Sequence, residues 1–217
     1  MGYLRRSTRS WYLGSIKTYM IMENINLNEL RDRAYKTACE HGFHDKELSN
    51  EHLLCLVISE LMEAVEADRK GKHADRESFK SSYEDEEPHD DVNFKYCFEK
   101  YIKGTVEEEL ADVVIRCLDL AGLRGWDLQD TLDNVDELND VSDFFQEHTF
   151  VEIVFDICTG TIISESPRSV KGVILDVWQY CLWKGIDIEW FIEQKMRYNE
   201  LRPMLNGKRY CLCHCLF

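Results

Sequence analysis

Apolar residues recur at three- and four-residue spacing through most of the chain, the period of amphipathic helices rather than of strands. Leu27, Leu30, Ala34 and Ala38 fall on one face, and Gly42 supplies a stop. Ser49 or Asn50 caps a second helix with Glu51 and His52 in its first turn, and that helix runs to about Lys70. Residues 71 to 93 are charged and poor in aliphatics, which predicts a solvated excursion. A short packed helix is expected over 94 to 102. Thr105 then caps a long helix reaching Leu123, with Gly125 beyond it and Glu107, Glu108 and Glu109 in the first turn, where the helix dipole favours acids. Asp127 is expected to cap a helix to about Leu138. Further helices are expected over 143 to 159, 169 to 183 and 187 to 201. Only 150 to 163 competes as a strand, through Val151, Ile153, Val154, Phe155, Ile157, Ile162 and Ile163. The fold class expected is all-α, a helical bundle.

Two helices break the pattern in the same way. At 100° per residue Glu60 and Glu63 share an arc with Leu53, Leu56, Val57, Ala64 and Ala67, whereas Glu66 points elsewhere. Glu109 and Asp112 repeat the spacing among Val106, Val113 and Leu120. Unpaired carboxylates in an apolar stripe cost on the order of several kcal/mol each, so a cation must lie against them. Two such helices face to face form a box of four carboxylates. Neither motif holds histidine, and oxygen-only ligands suit magnesium, with manganese as the alternative. Magnesium in proteins is shared with substrate phosphates, which directs attention to Lys195, Asn199 and Arg202 at i, i+4 and i+7 of the last helix.

The turn Leu123-Arg124-Gly125-Trp126-Asp127-Leu128 is echoed by Trp183-Lys184-Gly185-Ile186-Asp187-Ile188 at an offset of 60 residues. On that register Ser169 replaces Glu109 and Gly172 replaces Asp112, while Asp156 and Thr159 stand for Glu60 and Glu63. This predicts one working acid box and a degenerate second helix pair over 143 to 186.

Composition narrows the class. A chain of 217 residues, 44% hydrophobic, suffices for one core, expected over 25 to 209, with a loose extension over 1 to 24 and a tail over 210 to 217. A net charge of −15 argues against nucleic-acid or anionic-membrane binding. With no signal peptide and no membrane span recognisable, the nine cysteines are expected as free thiols in the cytoplasm. The tail residues Cys211, Cys213, His214 and Cys215 lack the Cys-x-x-Cys spacing of a structural zinc site.

The ordered set Ile58-Ser59-Glu60-Leu61-Met62-Glu63-Ala64, then Glu108-Glu109-Leu110-Ala111-Asp112-Val113-Val114-Ile115-Arg116, then Lys195 to Pro203 and Gly207-Lys208-Arg209 resembles the MazG-like branch of the all-α NTP pyrophosphohydrolases. The resemblance implies that Glu60, Glu63, Glu109 and Asp112 hold magnesium and that Lys195, Asn199 and Arg202 contact nucleotide phosphates. It further implies hydrolysis of a nucleoside triphosphate between its α and β phosphates. Glu63 or Glu60 is then the candidate general base, and Phe43 and His44 are candidates for a base pocket. The chain departs from the family where about 60 residues separate the Gly-Asp turn from the lysine helix. It is therefore expected as a homo-oligomer, or as a single-chain pseudo-dimer mimicking the paired subunits of simpler members. The alternatives are an inactive relative serving as a cation-stabilised protein-interaction module, and a phosphomonoesterase.

Overall fold

The computed structural model describes residues 25–133, 135, 141–162 and 165–204, and these form helices and connecting turns with no strand among them. The extension over 1 to 24, the Gly207-Lys208-Arg209 segment and the tail lie outside the described residues. The elements are α1 (Leu27–Glu40), α2 (Asn50–Arg69), α3 (Arg76–Phe79), α4 (Asp91–Tyr101), α5 (Val106–Arg124), α6 (Ser142–Glu147), α7 (Phe150–Asp156), α8 (Pro167–Lys184) and α9 (Ile188–Glu200).

The bundle is organised around α5. From Val106 to Ala121 this helix buries residues on nearly every side, including Leu110, Ala111, Val114, Cys117, Leu118 and Leu120, which is the signature of a central helix rather than a surface one. Helices α1, α2, α8 and α9 all pack on it. Its start is fixed by Thr105, whose hydroxyl accepts from the Glu108 N–H. Its end is fixed by Gly125 at φ 65°, where Trp126 N–H donates back to the Ala121 carbonyl. Helix α8 ends identically, with Gly185 at φ 73° and Ile186 N–H on the Cys181 carbonyl. The echoed turns in the sequence are thus the same left-handed cap built twice.

The second pair carries no acid box. Ser169 and Gly172 occupy the positions echoing Glu109 and Asp112, and a Cβ at Gly172 would stand 2.6 Å from Thr161 Cγ2. A side chain at 172 would have to displace the Thr161 methyl.

Three expectations are corrected. Residues 71 to 93 are not simply a solvated excursion: α3 continues into a π-helical turn at Lys80–Glu84, and Phe79 is fully buried against Tyr83, Phe94 and Trp190. Two aromatics four apart anchor a segment whose charge density suggested a loop. No helix begins at Asp127 within the described residues; its carboxylate instead accepts from Asn28 Nδ2 at 2.7 Å and from the Gln129 N–H, and 129 to 133 are turns. The helix expected over 143 to 159 is two helices. Thr149 and Glu152 form a reciprocal capping box that starts α7 afresh, and α7 runs into a π-helical turn at Ile157–Thr161, so Val151, Ile153, Val154, Phe155 and Ile157 are helical, while Ile163 lies outside the described residues.

Candidate functional site

Packing of α2 on α5 brings the two acidic motifs together, and α9 crosses the start of α5 beside them. The acids resolve into two trios rather than one ring of four. One oxygen each from Glu60, Glu63 and Glu109 lies within 4.8 Å of the others, and so do oxygens from Glu108, Glu109 and Asp112. Glu109 belongs to both. Asp112 is therefore joined to the α2 acids through Glu109.

Glu108 is the member that sequence reasoning missed, having been assigned only to the helix dipole. It is buried, and its carboxylate accepts from the Gly104 N–H at 2.8 Å and from the Lys195 ammonium. The available signal was its spacing of four from Asp112, which stacks the two acids one turn apart.

Lys195 reaches this cluster within its own chain. It is buried, lies 2.5 Å from Asp112 Oδ2, and also pairs with Glu108. Burial works against the charged ammonium, but Asp112 and Glu108 outweigh it and raise the lysine pKa above its usual value. Lys195 is thus the internal counter-ion of the cluster. Asn199 and Arg202, one and two turns further along, line the adjoining cleft instead.

Arg116, one turn beyond Asp112, performs the same service for α2. Its Nε and a terminal nitrogen both lie 2.9 Å from Glu60 Oε1, and burial raises the Glu60 pKa despite the guanidinium, helped by the nearby Asp112. Glu63 is exposed and makes no ion pair among the described residues. Glu109 also lacks a cationic partner within ion-pair distance there. Burial first, then Glu108 and Asp112, push its pKa up to about 8.

Five carboxylates face two fixed cations, and the buried Glu109, with no cation within ion-pair distance among the described residues, keeps a proton until alkali or a bound cation displaces it. An all-oxygen donor set with more carboxylates than cations is what a hard divalent cation satisfies, magnesium being one such ion.

Beside the cluster, α1, α5 and α9 enclose an open cleft of about 630 Å³ including the space at its mouth. Asp112, Arg116 and Asp119 of α5 form one wall, Asn199 and Arg202 another, and Ala38 and Phe43 a third. The His41 ring fixes the rim by bonding the Thr37 carbonyl and, 2.8 Å away, the Arg202 carbonyl. Of the two base-pocket candidates, Phe43 lines the cleft. His44 lies behind it, with Nε2 2.7 Å from Asp119 Oδ1 and its ring against Tyr35.

Comparison of the chain with protein-family models, with curated proteins and with solved structures finds no match. Among the described residues no helix is long and apolar enough to cross a membrane.

Proposed function

We propose that this chain is a magnesium-dependent nucleoside triphosphate pyrophosphohydrolase of the MazG-like all-α kind. The observation that carries the proposal is Glu109, buried with no cation within ion-pair distance among the described residues where two acid trios meet, beside a cleft walled by Arg116, Asn199 and Arg202. Glu60, Glu63, Glu109 and Asp112 would hold the metal, and Glu108 joins them through Asp112 and Lys195. Magnesium bound there neutralises charge on the phosphates and on the departing pyrophosphate.

The chain's own groups have separable tasks. Arg202 has no ion pair among the described residues, so its guanidinium is available to a phosphate, with the Asn199 amide as a neutral donor beside it. Glu60 is tied to Arg116, which leaves Glu63 as the better general base. It takes a proton from a water whose oxygen bonds to the α phosphorus as the α–β bridge breaks. The products are nucleoside monophosphate and pyrophosphate.

In this proposal the protein acts in a cytoplasmic nucleotide pool, and α7 and α8 occupy the place of a second subunit's helix pair. Incubation with each deoxynucleoside triphosphate and magnesium should release pyrophosphate, and Glu109→Gln should abolish it. Orthophosphate from the nucleoside monophosphates, with no pyrophosphate from the triphosphates, would indicate a phosphomonoesterase instead. A second reading is favoured by Lys195, whose insertion between Glu108 and Asp112 already compensates part of the cluster from within. It is the inactive interaction module, and it predicts no hydrolysis of any of the four substrates.

A further inference from the structure

Asp119 lies seven residues beyond Asp112 on α5, two turns or about 10 Å along the helix axis at 1.5 Å per residue, and both residues line the same cleft. Its carboxylate is 9% exposed. Oδ1 is held by His44 Nε2 at 2.7 Å, and Oδ2 makes no hydrogen bond among the described residues. The His44 ring is itself braced against Tyr35, with ring centroids 5.2 Å apart. The cleft is therefore lined by a mostly buried carboxylate with one oxygen to spare, near the apolar side chains of Phe43, Ala38 and Ile115 and the guanidinium of Arg116.

We infer that Asp119 reads the nucleobase and selects one bearing an exocyclic amine, an inference that rests on the pyrophosphohydrolase proposal above. In that enzyme the phosphates lie at the Asp112 end, where the acid cluster would hold magnesium, so the neutral end of the nucleotide lies at Asp119. Phe43 in the cleft lining provides an aromatic ring for a planar base. A free carboxylate oxygen accepts an N–H, as from the amino group of cytosine, but opposes the keto oxygen that uracil and thymine carry at the same place. Sites built to receive a donor reject analogues lacking it more strongly than apolar pockets reject a missing methylene. A sugar hydroxyl is also a donor, but the sugar adjoins the phosphates, whereas the base edge extends toward the second turn.

The decisive comparison uses three substrates with magnesium: dCTP, dUTP and the dideoxy analogue of dCTP. The wild-type kcat/KM should favour dCTP over dUTP by about 10- to 100-fold, the range expected of one hydrogen bond to a charged group. The dideoxy analogue should be used about as well as dCTP. Asp119→Asn, whose amide can present either a donor or an acceptor, should bring the dCTP to dUTP ratio to within about 3-fold of unity. Asp119→Ser serves if that variant does not fold, and the wild-type ratio decides in either case. Equal use of dCTP and dUTP overturns the inference, and loss confined to the dideoxy analogue reassigns Asp119 to the sugar. Binding of non-hydrolysable α,β-imido analogues to the wild-type protein separates the two layers. Discrimination in binding without any hydrolysis contradicts the enzyme proposal alone, and hydrolysis without discrimination contradicts the role of Asp119 alone.

Discussion

Lys195 stands between Glu108 and Asp112, 2.5 Å from the Asp112 Oδ2, so the last helix of the bundle supplies a buried counter-charge to the first turns of its central helix. Removing one partner of a buried ion pair leaves the other charges unsatisfied. Lys195→Met should therefore destabilise the fold by about 3 kcal/mol or more, measured by denaturant unfolding. Pairing it with Glu108→Gln should recover part of the loss. A lysine that served only as an external phosphate contact would leave stability unchanged in the single variant.

Glu109 makes the metal-free protein sensitive to alkali. Its pKa is raised from 4.5 to about 8, so between those values the folded state holds a proton that the unfolded chain has released. The stability it contributes is fully present below pH 4.5 and is lost as pH rises through 8. In chelator, wild-type stability relative to Glu109→Gln should fall between pH 5 and pH 8 at up to about 1.4 kcal/mol per pH unit. Magnesium should stabilise the wild type more at pH 8 than at pH 6, because the ligand must be deprotonated to bind. Parallel pH profiles for wild type and variant in chelator would count against this assignment of charge.

Glu63 is exposed and unpaired among the described residues, whereas Glu60 is held by Arg116. Glu63→Gln should lower kcat about 100-fold or more, the usual contribution of a general base, with KM changed only a few-fold. A loss expressed mainly in KM and recovered by raising magnesium would confine Glu63 to holding the metal and remove it as the base.

Most of the helical framework was legible because local signals agreed: Thr105 and Gly125 bracket α5, and Ser49 starts α2. The breaks were harder. The Thr149–Glu152 capping box interrupts a continuous apolar period, and the Phe79 anchor is hidden among charges. In the candidate site, the acid spacing on α2 and α5 pointed to carboxylates in need of a partner, and the fold gathers them into two trios, although Glu63, expected on the apolar arc with Glu60, is exposed. What a helical wheel does not reveal is which partner. The roles of Lys195, Arg116 and Glu108 depend on how α9 and α2 cross α5, and the pairing of His44 with Asp119 joins residues 75 apart in sequence.

The central claim is attack by water at the α phosphorus under control of the acid cluster, and hydrolysis in 18O-labelled water with mass analysis of the products tests it most directly. Magnesium-dependent label is expected in the nucleoside monophosphate and none in pyrophosphate, with loss of both products in Glu109→Gln. Label in pyrophosphate or orthophosphate, or an undiminished rate in Glu109→Gln, would contradict it.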